Sequence, residues 1–261
     1  MQPDVLRIAL AALLAAALAS CAGADTQAPG EDSAANSLAE MSSKGQANLS
    51  LAQNYLANDQ IELALDRANR ALRSDPTSSD VQIVLGMVRE KMGDLDRAGA
   101  SYERAAKLSP ESGHVLNVYG VWLCKRGAPV DADAMFSRAL DDPFYKSREQ
   151  ALFNAGKCAL QAGDLEKAAA YGRLGLHTAA ENPALLTLMA EVQFQRRDYF
   201  SARAFVQRRE ASGKVSPEIL SLAARIEQAA GDTAAAERYQ ARLRDEFPDY
   251  SPPVTEGSRQ P

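Results

Sequence analysis

The 261-residue chain is poor in several things that chemistry at a site would need. It has two histidines, three cysteines and one tryptophan, and aromatics make up only 6%. His114 and His177 lie far apart with no metal-like partner spacing, so they read as solvated or interfacial side chains. No glycine-rich phosphate loop, zincin motif or nucleophile elbow occurs. No catalytic residue, cofactor, metal or small-molecule substrate is therefore expected. The net charge of -5, with no dense basic run, argues against nucleic acid as a partner. What the chain does have is ordinary globular composition, 46% hydrophobic and 24% charged. It is also plainly rich in alanine, the best helix former, which leans toward an all-α fold.

The one long apolar run, residues 8–19, is all Ile, Ala and Leu and follows Arg7. A bilayer-spanning helix needs about 20 such residues, so this run suits the core of a signal peptide. It ends in Leu18-Ala19-Ser20-Cys21, which resembles the bacterial lipobox. That resemblance implies cleavage before Cys21 and diacylglycerol on its sulfur. Several acyl chains at one N-terminus hold a protein to a membrane far more firmly than one. Ala22 and Gly23 follow, with no aspartate behind the cysteine, and the lipoprotein sorting rule then implies the periplasmic face of the outer membrane. Residues 1–20 are thus read as a signal peptide. Residues 21–44, rich in Ala, Gly, Ser, Asp and Gln, read as the lipidated cysteine and a flexible tether. Residues 249–261 read as a disordered tail.

Between these ends the sequence repeats. Windows set at 45–78, 79–112, 113–148, 149–182, 183–216 and 217–248 fall into one register. Their eighth residues are Ala52, Gly86, Gly120, Gly156, Ala190 and Ala224. Their twentieth residues are Ala64, Ala98, Ala132, Ala168, Ala202 and Ala236. Small residues in register at two positions mark close helix crossings, which a larger side chain would force apart.

The pattern resembles the tetratricopeptide repeat, and implies a right-handed superhelix of six helical hairpins, each with a helix A and a helix B. Tyr102 and Phe136 stand where helix B carries its large residue, and Pro76, Pro110 and Pro248 where proline stops it. Asn58-Asp59, Gly93-Asp94, Gly127, Gly163-Asp164 and Gly231-Asp232 supply the turn, glycine ending helix A and aspartate capping helix B. Repeats four and five lack the proline and carry Gly172, Gly175 and Arg209 at apolar positions, so they are expected to be less regular. The stretch Asp141-Asp142-Pro143-Phe144-Tyr145 supplies two extra residues before repeat four.

Cys124 and Cys158 fall at the twelfth and tenth positions of the A helices of repeats three and four. Two positions differ by about 200° around a helix. The cysteines either bridge neighbouring A helices, as an exported protein permits, or remain two buried thiols. In this repeat family helix A lines an inner groove. That implies a partner-binding surface of Leu49, Gln53, Leu56, Ile83, Met87, Asn117 and Val121, with Glu90, Lys91 and Lys125 among them. Apolar side chains facing a groove suit an apolar peptide or helix. The lysine and arginine set of carboxylate-clamp repeats is missing.

Three stretches go beyond the generic repeat: Asn117-Val118-Tyr119-Gly120-Val121-Trp122-Leu123-Cys124-Lys125-Arg126-Gly127, Asp142-Pro143-Phe144-Tyr145 with Asn154-Ala155-Gly156-Lys157-Cys158, and Asp198-Tyr199-Phe200-Ser201-Ala202-Arg203. They resemble the type IV pilus biogenesis and stability lipoproteins, the PilF/PilW family. That resemblance implies a pilotin, an outer-membrane lipoprotein that brings secretin subunits to the membrane or promotes their multimerisation. The competing expectations are a repeat lipoprotein serving barrel-protein assembly or cell-wall synthase control, and an envelope enzyme. The last would need a catalytic domain for which too few residues lie outside the repeats.

Overall fold

The computed structural model describes residues 41–251. The expected signal peptide, the lipidated Cys21, nearly all of the tether and the last ten residues lie outside the described residues. Every regular element described is an α-helix, and the twelve helices form six hairpins. They are α1 (Ser43–Ala57) with α2 (Ile61–Ser74), α3 (Ser79–Lys91) with α4 (Leu95–Leu108), and α5 (Gly113–Lys125) with α6 (Pro129–Asp141). They continue as α7 (Arg148–Gln161) with α8 (Leu165–Thr178), α9 (Pro183–Gln195) with α10 (Tyr199–Ala211), and α11 (Pro217–Ala230) with α12 (Thr233–Glu246). This is an all-α tandem tetratricopeptide fold. Two boundaries differ from expectation. Ser42 caps α1 through its hydroxyl, which accepts from the Gly45 N–H, so the helix already includes Ser43 and Lys44. At the other end a turn follows α12, with the Tyr250 N–H donating to the Phe247 carbonyl at 3.0 Å.

The hairpin turn repeats six times. Its fifteenth position is left-handed throughout, at Asp59, Gly93, Gly127, Gly163, Arg197 and Gly231. Glycine adopts that conformation without a Cβ clash, whereas Asp59 and Arg197 hold it at a cost. The next residue caps helix B where it is aspartate: Asp94, Asp164, Asp198 and Asp232 each accept from the N–H three residues on.

Within each hairpin the small eighth and twentieth residues are buried at the crossing. Their sizes trade against the twenty-fourth. Tyr102 lies over Gly86 and Phe136 over Gly120, so close that a Cβ on either glycine would fall within 2.8 Å of the ring. In repeat four both Gly156 and Gly172 are small, and the room they leave is filled by Leu188 and Met189 of the next repeat. The helices α7 to α10 are as long as the others, and the irregularity expected of repeat five shows at its end, where α10 closes through Ser212 and Gly213, the latter at a φ of 148°. Arg209, also at a small position, is buried but reaches out to donate to the Lys214 carbonyl at 3.1 Å.

Successive A helices approach each other backbone to backbone (α1 with α3, α3 with α5, and so on to α9 with α11), whereas among the described residues the B helices of neighbouring repeats stay further apart and meet through long side chains, as where Lys167 and Tyr171 of α8 reach Asp133 of α6. A stack that is closer on one side curves toward it, so the A helices line the inner face. The A helices begin and the B helices end on one edge. There Ser42 donates from its N–H and hydroxyl to Asp75 at 2.9 and 2.8 Å, and the Gly113 N–H donates to Asp142 at 2.8 Å.

Candidate protein-binding groove

Each A helix presents its second, ninth and thirteenth residues outward on the inner face, and its fifth residue toward the neighbouring A helix. That placement corrects the groove set at three residues. Leu49, Ile83 and Asn117, all fifth residues, are 7%, 4% and 7% exposed. Leu49 packs into the core of repeats one and two, and Ile83 packs with Ala105 and Val115. Asn117 Oδ1 accepts from Asn154 Nδ2 of the next A helix at 3.0 Å. The physical reason is the curvature, because drawing the A helices together closes them over the fifth residue. Of the seven, Gln53, Leu56, Met87 and Val121 stay accessible on the inner face. Met87 is 37% exposed, Gln53 is exposed, and Leu56 and Val121 are half-buried beside them.

The charged residues of this face are engaged sideways. Lys91 Nζ reaches Asp59 of the preceding repeat at 3.1 Å, and Lys125 Nζ reaches Glu90 at 2.8 Å. Glu90 also accepts from the Tyr102 hydroxyl at 3.0 Å. Burial first, and then the Glu90 charge, push that hydroxyl far above the ordinary tyrosine range. Exposed pairs of this kind contribute only about 0–1 kcal/mol each to stability. Both of these lysines are thus matched by a carboxylate of the preceding repeat.

Repeats four to six carry charge where repeats one to three do not. Their ninth residues are Lys157, Glu191 and Arg225. Lys157 lies over the Phe153 ring at 6.0 Å and Arg225 over the Phe194 ring at 4.8 Å, with Glu191 3.8 Å from Arg225. An open cavity of about 400 Å³ lies there, lined by Phe194, Ala224, Arg225, Gln228 and Leu243 among others.

Cys124 and Cys158 are joined, with an S–S distance of 2.10 Å, and tie α5 to α7. His114 and His177 are both exposed, on α5 and α8. Among the described residues no three His, Cys, Asp or Glu side chains are grouped so as to hold a metal, and no helix is long and apolar enough to cross a membrane. The sequence pointed to the groove through the family's register. It missed the aromatic rings covered by charge in the second half, although the alternation of Phe153, Lys157 and Phe194, Arg225 was there to be read once the register was set.

The tetratricopeptide repeat family model matches residues 49–113 and 123–183. The type IV pilus assembly protein PilF of Pseudomonas aeruginosa is 26% identical over 247 residues, covering 93% of this chain and 94% of PilF. Among solved structures, that of PilW, described as a widely conserved type IV pilus biogenesis factor, is similar with a TM-score of 0.74 and 25% identity over 80% of this chain and 96% of PilW. The structure of Pseudomonas aeruginosa PilF is similar with a TM-score of 0.68 and 25% identity over 79% of this chain and 93% of PilF.

Proposed function

We propose that this chain, a tandem tetratricopeptide repeat protein similar along nearly all its length to type IV pilus assembly and biogenesis proteins, is a pilotin of the outer membrane. In this reading Cys21 carries the acyl chains and places the repeats on the periplasmic face. Secretin subunits dock on the inner face of repeats one to three. The protein acts by binding alone, with no reaction and no nucleotide. The observation that carries the reading is the likeness to PilF, which covers 93% of this chain.

The geometry supports a way of working. Leu56, Met87 and Val121 offer an apolar strip that an exposed apolar segment of a subunit would cover. Lys91 and Lys125 beside that strip are matched by Asp59 and Glu90. Holding subunits near one membrane surface raises their local concentration and so favours the multimer.

The test is the double variant Leu56→Gln with Met87→Gln, which avoids the buried Ile83. Helicity is checked by circular dichroism, and secretin multimers are then read on gels that keep them intact. The folded variant is expected to lose multimers and surface pili together while monomeric secretin persists. Undiminished multimers in the folded variant would contradict the groove assignment. Undiminished multimers in a full deletion would contradict the pilotin reading. Cys21→Ser is expected to leave the protein unprocessed and off the outer membrane, and a mature N-terminus found elsewhere without acyl chains would sink the anchor.

A further inference from the structure

Phe144 is 87% exposed, more than any other large apolar side chain of the described residues. It sits in the loop 142–147, where repeat three carries its two extra residues. The exposure is not that of a loosely hung chain, for the loop is pinned on both sides of the phenylalanine. One oxygen of Asp142 accepts from the Gly113 N–H and the other from the Phe144 N–H, both at 2.8 Å. Tyr145 is buried against Gly113, where a Cβ would come within 2.6 Å of its ring. The Arg148 guanidinium donates to the Leu140 and Asp142 carbonyls. Asp142 and Tyr145 thus hold a backbone that presents Phe144 outward, and a rigid exposed aromatic loses little entropy when it is buried in a second phase.

Its place in the fold says which phase. The loop lies on the edge where the A helices begin. The chain enters the fold on that same edge, at Met41 and Ser42, where Ser42 is bound to Asp75 of the α2–α3 loop. Only nineteen residues lie between Cys21 and Met41. At full extension they span at most about 70 Å. The helices are only about 20 Å long, so such a tether could bring either edge to the lipid, and what favours this one is that the chain enters the fold there, at Ser42. The next most exposed large apolar side chain apart from it, Phe200 at 83%, begins α10 at the opposite edge, where A helices end. Asp141 and Lys146 are both exposed beside Phe144, and their charges offset, so the contact would not depend on anionic lipid.

We propose that Phe144 is a second, non-covalent contact with the lipid surface, a ring that enters the boundary between headgroups and acyl chains and sets the edge of the repeat stack that faces the membrane. This rests on the acyl anchor of the pilotin reading, and it holds or fails independently of secretin binding.

The experiment uses the full, acylated protein in vesicles of phosphatidylcholine with brominated acyl chains, which quench tryptophan at the bilayer boundary. Phe144→Trp and Phe200→Trp are compared, each after subtraction of the emission from Trp122 in the parent protein. The Phe144→Trp signal is expected to fall by about half or more relative to unbrominated vesicles, as for an aromatic seated at the interface, while the Phe200→Trp signal stays unchanged. Equal quenching at both positions, or none at position 144, overturns the proposal. So does a tryptophan at 144 that ignores the lipid and shifts to shorter wavelength only when other envelope proteins are added, which assigns the ring to a protein pocket. The mass of the N-terminal peptide, read on the same sample, reports acylation separately, so a missing anchor is told apart from an unseated ring.

Discussion

The two halves of the inner face share one backbone and differ in a single row of side chains. In repeats one to three the ninth residue of helix A is Gln53, Met87 or Val121, and in repeats four to six it is Lys157, Glu191 or Arg225. In the second half two of these side chains lie over the rings of Phe153 and Phe194. A cation over an exposed ring is favourable by only about 0.5–1 kcal/mol, yet it also covers the apolar surface a ligand would use. The fold therefore does not decide where a partner docks. The hairpin register places six equivalent ninth residues on the inner face, of which Met87 and Val121 are apolar, Gln53 is polar but uncharged, and the last three are charged.

The bridge between Cys124 and Cys158 sits at the boundary of the two halves and closes a 34-residue separation. Protein exported without reductant is expected to show no free thiol at either residue after denaturation. Reduction is expected to lower stability by roughly 2–4 kcal/mol, the range for a loop of that size, and to broaden the unfolding transition as the halves uncouple. Guanidinium titrations with and without reductant read both effects. Coincident curves would mean that the bridge couples nothing.

The helix crossings sharpen the contrast at a smaller scale. Gly120 lies beneath the Phe136 ring, itself 1% exposed, and a Cβ there would meet a ring carbon at 2.8 Å. Gly156, at the same position one repeat on, would meet the end of the Leu188 side chain at 2.6 Å. A methyl terminus can rotate away, whereas a packed ring cannot. Gly120→Ala is thus expected to cost about 1–3 kcal/mol from overpacking, less up to about 1 kcal/mol of gained helix propensity. For Gly156→Ala that gain is expected to prevail, leaving stability unchanged or raised. Equal losses in chemical denaturation would contradict this account of the crossings.

Smaller again is the strain at Arg197, whose φ of 62° falls where four of its five equivalents are glycine. Arg197→Gly is expected to stabilise the second half by up to about 1 kcal/mol, with no matching gain from Asp59→Gly, since aspartate tolerates that conformation better. A thermal melt of each variant checks it.

Alkaline pH gives the weakest contrast. Burial first and then Glu210, whose carboxylate accepts from the Tyr239 hydroxyl at 3.1 Å, raise that tyrosine from 10.0 to about 12. An acid raised on folding adds stability that is complete below its unfolded value and is lost as pH climbs through its folded one. Stability is therefore expected to fall between about pH 10 and 12, and Tyr239→Phe to flatten the decline. Tyr102 beside Glu90 is raised in the same direction, so some slope should remain. An unchanged slope in Tyr239→Phe would remove Tyr239 from the explanation.

Much of the fold was legible because it is said six times. The alanines at the twentieth position and the glycines and aspartates at the turn mark a register that chance would not repeat. What the register could not convey was the closeness of neighbouring A helices. Leu49, Ile83 and Asn117 belong by position to the inner face, and only the curvature shows them covered. Nor could it show that Leu188 and Met189 fill the room left by Gly156 and Gly172, because that compensation crosses a repeat boundary. The loop at Asp142 was visible as two extra residues, while its pinning by Gly113 and Tyr145 depends on groups thirty residues apart meeting in space.

The central claim, that partners dock on the first half of the inner face and not the second, is tested most directly by photo-crosslinking in the envelope of piliated cells. A photoreactive residue placed at Met87 is compared with one placed at Arg225, and the adducts are probed for secretin. The account predicts a secretin adduct from position 87 and none from position 225. An adduct from 225 alone, or no secretin adduct from 87, would contradict it.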